Sequence, residues 1–150
     1  MIQQMLETSR GPLSLAQVSV GDAMHPGVFT CPRDTPLPTV ARMMALYRIH
    51  SVVVFSEESD DNDGADLWGV VSDLDLVTAA TASELDDQTA GETAATPIVL
   101  VETGDTLAHA AQLMSEHAIS HVVAVEPKST RPIGILSTLD IARVLAGSSP

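Results

Sequence analysis

Aromatic side chains are almost missing from this chain: its 150 residues include two phenylalanines, one tyrosine and one tryptophan. A core must therefore be assembled from Val, Leu, Ile, Ala and Met. Basic residues are scarce as well. Seven Lys and Arg face twenty Asp and Glu, a formal charge of −13, and such a surface repels phosphate backbones and anionic lipid heads. Direct nucleic-acid and membrane partners are thereby excluded. The single cysteine, Cys31, has no internal disulfide partner, so a buried, inert thiol is expected. No apolar run approaches the roughly 20 residues that span a bilayer. The opening "MIQQMLETSR" has neither the cationic start nor the apolar centre of a secretory signal. A soluble cytoplasmic protein is expected.

Catalytic and metal signatures are lacking too. There is no glycine-rich phosphate loop and no serine in a nucleophile elbow, so the chain is not expected to be an enzyme. His109 and His117 are too far apart for an i, i+4 metal pair, and no metal ligands are expected. The acidic run from Glu57 to Asp66 reads as a solvated loop, because Ser59 and Val70 stand where a calcium loop needs an acid or amide and a glutamate.

What the chain does have is a duplication. "GVVSDLDL", from Gly69 to Leu76, returns as "GILSTLDI", from Gly134 to Ile141, an offset of 65. Earlier the offset is 70: Leu37 meets Leu107, Met44 meets Met114, Ile49 meets Ile119 and Val52 meets Val122. The change falls in the polar loop, where insertions are tolerated. Two halves, 18–82 and 88–147, follow an N-terminal segment 1–17, and each is too small to be comfortable alone.

Each half reads β-α-β-β-α. A short strand ("GVFTC", "PIVLV") leads to a helix with apolar residues at helical spacing, Leu37, Val40, Ala41 and Met44, repeated as Leu107, Ala110, Ala111 and Met114. Thr35 is expected to cap the first of these, with Pro36 at its first position. A β-branched run follows ("SVVVF", "HVVAV"), then a further strand and a second helix beginning at the motif serine.

Ser72 with Asp75, and Ser137 with Asp140, have capping-box spacing. The same geometry suits a nucleoside phosphate: amides at the helix start for phosphate, the carboxylate for a ribose diol, the glycine for clearance beside a base, the β-branched run as an apolar wall. Asp73 adds a carboxylate at the first helix start where the second copy has Thr138, and Arg143 lies one turn from Asp140. The second motif is therefore expected to be the better phosphate site.

From about Val18 to Ala146 the chain resembles a tandem pair of CBS domains, the module named after cystathionine β-synthase. "VGDAM", "RIHSVVVF" with "AISHVVAV", and "GVVSDLD" with "GILSTLD" carry the likeness. The resemblance implies an α/β protein of two repeats packed with pseudo-two-fold symmetry and two clefts between them. It also implies adenosine-containing ligands: AMP, ADP, ATP or S-adenosylmethionine, none of them a required cofactor. The ligand-binding residues it implies are Ser72, Asp75, Ser137 and Asp140 at the helix starts. His50, Ser51 and Val52, with Ser120, His121 and Val122, lead into the middle strands, and Val28 and Ile98 are the first-strand wall. Val53 and Val123 depart from it, standing where members often carry proline. A homodimer that signals to a separate effector protein is expected. The competing reading is a structural or oligomerisation module with empty clefts.

Overall fold

The computed structural model describes residues 14–56 and 66–147. Of the acidic run only Asp66 is therefore described, and of the segment 1–17 only its last residues; the loop reading of Glu57–Asp66 otherwise lies outside the described residues. The first repeat contains α1 (Val20–Ala23), β1 (His25–Pro26), β2 (Thr30–Pro32), α2 (Leu37–Tyr47), β3 (Ser51–Phe55), β4 (Leu67–Ser72) and α3 (Asp73–Thr81). The second contains α4 (Ala90–Thr93), β5 (Leu100–Glu102), α5 (Leu107–His117), β6 (His121–Val125), β7 (Pro132–Ser137) and α6 (Thr138–Leu145). The β-α-β-β-α order is present twice, each copy preceded by a short lead-in helix.

In the first sheet β2 runs parallel to β3, which is antiparallel to β4; β5, β6 and β7 repeat this arrangement. Strand alternation sends side chains to opposite faces. Val52 and Val54 face the core beneath α2, with Leu37, Val40 and Val71, and Val122 and Ala124 face the core beneath α5, with Leu107, Leu136 and Val144. The residues between them, Val53 and Val123, meet Val70 in a third cluster, shared by the two sheets.

Each lead-in belongs to the opposite repeat. Val18 and Val20 are packed in the second core, with Val20 N–H donating to the Asp105 carbonyl at 2.8 Å and Gly21 N–H to that of Thr103 at 2.9 Å. Ala90 is packed in the first core, with Ala90 N–H donating to Thr35 and Gly91 N–H to Arg33, both at 2.8 Å. β1 then pairs antiparallel with β7, His25 opposite Ile135 and Pro26 opposite Gly134. Ala95 bridges Val70 in the matching place.

This exchange corrects the roles expected for the two motif glycines. A Cβ on Gly134 would lie 2.7 Å from the His25 carbonyl, and one on Gly69 would press on the Ala95 carbonyl. The crossing backbone, not a base, occupies the space. A smaller correction concerns α2: Pro36 is its N-cap residue and makes no side-chain cap, whereas Thr106 caps α5 through the His109 amide. Burial raises the pKa of the Cys31 thiol, with Thr35 opposing the shift and Asp34 adding to it. Cys31 is thus a buried core residue.

Candidate functional site

Each strand-to-helix junction is made by a serine that leaves the extended strand and turns its hydroxyl onto the new helix. Ser72 Oγ accepts from Asp75 N–H at 3.3 Å and Ser137 Oγ from Asp140 N–H at 3.2 Å; Asp75 and Asp140 each accept from their serine's N–H at 2.8 Å. These reciprocal caps contribute on the order of 1 kcal/mol per helix. Capping therefore uses Oδ2 of both aspartates, and what remains differs between copies. Asp75 is half-buried, and its Oδ1 has no partner among the described residues. Asp140 has a 2% exposed side chain; its Oδ1 accepts from Arg143 at 3.2 Å and faces His25 Nδ1 at 3.1 Å.

Two cavities open beside these junctions, one of about 370 Å³ holding Ser72 and Asp75 and one of about 310 Å³ holding Ser137 and Asp140. Both are composite. Ser72 and Asp75 of the first repeat face Ile98, Ser120 and His121 of the second; Ser137 and Asp140 face Val28, His50 and Ser51 of the first. The β-branched run itself is expected to form the apolar wall, and there the structure differs. Val52 and Val122 are fully buried and line neither cleft, because alternation turns them into the cores beneath the helices. The ten other proposed ligand residues line the two clefts, and His121 lines both.

Other cleft residues were not singled out as site residues, His25, Phe29, Arg48 and Ala118 among them. The offset of 70 that pairs Val28 with Ile98 was the available signal, since it also pairs Arg48 with Ala118. Arg48 (φ 55°) and Ala118 (φ 53°) both cap their helices in the left-handed region, which costs a non-glycine residue on the order of 1–2 kcal/mol. That turn aims the following residues of each repeat into a cleft.

The helix starts also differ. At α3 the Leu74 N–H is taken by Asp73 Oδ1 at 2.9 Å, while Asp73 Oδ2 faces His50 Nδ1 at 3.1 Å. Thr138 replaces Asp73 in the second copy, and it lines the Asp75 cleft. Asp73 therefore sits beside the Asp140 cleft, through His50, rather than in the cleft of its own motif. Among the described residues no group of three or more His, Cys, Asp or Glu is arranged to hold a metal ion. A third cavity surrounds Trp68, whose ring is covered by Arg33 at 4.4 Å and whose Nε1–H donates to Gly91.

Burial lowers the pKa of His121 from the ordinary 6.5; Asp73 opposes the shift, His50 adds to it, and Asp140 and Asp75 also oppose it. The unfolded chain therefore takes up the proton first as pH falls, and this residue's contribution to stability is lost below about 6.5, through the lower folded value. His121→Ser, which installs the residue found at the equivalent Ser51, is expected to lose less stability than the parent between pH 7 and pH 5. Urea unfolding at both values measures this; an equal loss in the two proteins would contradict it.

The family model described as CBS domain matches residues 20–82 and 90–147. No curated protein sequence matches the chain. Among solved structures, Hypoxic Response Protein I with two coordinated zinc ions is 26% identical and aligns over 84% of this chain and 98% of its own, with a TM-score of 0.64. The CBS domain pair of protein MJ0100, in complex with 5′-methylthioadenosine and S-adenosyl-L-methionine, is 20% identical over 87% of this chain and 97% of its own, with a TM-score of 0.72. The CBS domain of the bacterial CNNM/CorC family Mg2+ transporter in complex with ATP is 17% identical over 98% and 95%, with a TM-score of 0.69.

Proposed function

The chain belongs to the CBS domain family, and on that premise we propose that it is a regulatory module whose clefts take an adenosine-containing ligand of the AMP, ADP, ATP or S-adenosylmethionine class. One observation carries this reading. Each cleft sets a serine–aspartate helix start of one repeat against an aliphatic wall and a polar turn of the other. A ligand in either cleft touches both repeats, so any preference for one relative placement shifts the equilibrium between placements. The cavity volumes fit the lower end of the roughly 300–1,000 Å³ common for small-molecule sites. The adenosine compounds bound by the MJ0100 pair and the ATP bound by the transporter domain support the same class. The output goes to a separate effector protein, and the role is regulatory rather than catalytic.

A homodimer and a cytoplasmic setting belong to the same proposal. Leu46, Leu74, Val77 and Leu139 are each more than half exposed on α2, α3 and α6, apolar surface that a second copy would cover. No helix among the described residues is long and apolar enough to cross a membrane.

A thermal-shift panel of AMP, ADP, ATP and S-adenosylmethionine tests the ligand reading. At a hundredfold excess over the dissociation constant, binding stabilises by roughly 2.7 kcal/mol, which raises the melting temperature of a chain this size by about 5–10 °C. No shift with any of the four would leave the clefts empty and favour the structural, oligomerising role.

A further inference from the structure

The two clefts are one frame filled twice, so they differ in chemistry more than in architecture. The offset that carries Val28 onto Ile98 also carries His25 onto Ala95, Arg48 onto Ala118 and His50 onto Ser120, and all of these line their respective clefts. At three matched places, then, the Asp140 cleft has a cationic or titratable side chain where the Asp75 cleft has a small neutral one. Arg143, absent from the Asp75 cleft, adds a fourth. This concentration stands out in a chain with a formal charge of −13: two of its seven Lys and Arg and three of its five His line one cavity. The other cavity has only the shared His121, whose buried ring favours the neutral form.

The carboxylates are divided in the opposite sense. Asp75 lines its cleft, and its Oδ1 has no partner among the described residues. Asp140 is covered by Arg143 and His25, so its charge is matched locally, and Arg48 has no acidic partner among the described residues. Asp73 is the counterweight beside that cleft, paired with His50.

We propose that the clefts take different ligands: the Asp140 cleft a phosphorylated nucleotide, its phosphate on Arg48 and the neighbouring histidines, and the Asp75 cleft an uncharged or cationic nucleoside gripped through its sugar by Asp75. This rests on the adenosine reading above and deepens it. The module then reports on two inputs, a phosphorylated and an unphosphorylated nucleoside, and not on one ligand bound twice.

Calorimetric titration of the full chain with AMP and with adenosine tests the division. Arg48→Ala, which copies Ala118, is expected to weaken AMP about tenfold or more, the loss of one charge-assisted contact, and to leave adenosine within about twofold. Asp75→Asn is expected to do the reverse. Because Asp75 also caps α3, a competition in the unaltered protein accompanies it: saturating adenosine should leave the AMP isotherm unchanged. Displacement of AMP by adenosine, or equal weakening of both by Arg48→Ala, would overturn the division while leaving adenosine binding intact. Absence of heat with both probes would overturn the adenosine reading and the division with it.

Discussion

Divided between Asp86 and Asp87, the chain should give two fragments, neither of which folds alone as a monomer, and whose mixture recovers the folded protein. The expectation follows from the exchanged lead-ins. Val18 and Val20, in the first fragment, are packed within the second core, and Ala90, in the second, is packed within the first. The third cluster, around Val53, Val70 and Val123, is shared between the sheets. Each fragment would lose its partner's lead-in and also expose that shared face. Each repeat, of roughly 60 residues, is already marginal, because a domain of that size buries only about 60% of the surface that its unfolded chain exposes. Circular dichroism melts of each fragment, and of an equimolar mixture, measure this. A cooperative melt from either fragment as a monomer would show that the repeats are independent.

The second large effect is expected at a glycine. Gly134→Val should destabilise the protein by about 3 kcal/mol, at the upper end of the cost of forcing extra atoms into a packed interior. The added carbon would lie 2.5 Å from Met24 Sδ and 2.7 Å from the His25 carbonyl. The methionine can rotate away. The carbonyl cannot, because β1 is held in register on β7 and Gly27 N–H donates to the Ile133 carbonyl at 2.7 Å. Gly104→Ala is the control: nothing lies within 4 Å of a Cβ there, and a change within about 0.5 kcal/mol is expected. Urea denaturation of both variants decides the point. Equal stabilities would mean that the crossing segment is not pressed on β7.

Much of this molecule was legible in its residues because duplication writes every important feature twice. Constant offsets identified both helix starts, and capping chemistry alone required Ser72 with Asp75 and Ser137 with Asp140 to terminate strands and begin helices. Self-similarity cannot tell which copy faces which. Two identical half-sites could each be completed from within a repeat or across the pair, and the offsets are the same in both cases. Val52 and Val122 therefore looked as suitable for a cleft wall as Val28 and Ile98, and pairing register settled the matter by turning them into the cores. The crossing lead-ins were hidden for a related reason: β1 is two residues long and has no hydrophobic pattern of its own. His25 went unnoticed with it. The partners of Asp73 were likewise beyond the sequence, since the acid next to one motif serves the rim of the other cleft.

The most direct measurement is a nuclear magnetic resonance titration of the full chain with AMP. Signals of Val28, His50 and Ser51 should move together with those of Ser137 and Asp140, residues from opposite repeats reporting a single binding event. Shifts confined to one repeat, or to the surface around Arg33 and Trp68, would contradict a nucleotide site assembled across the pair.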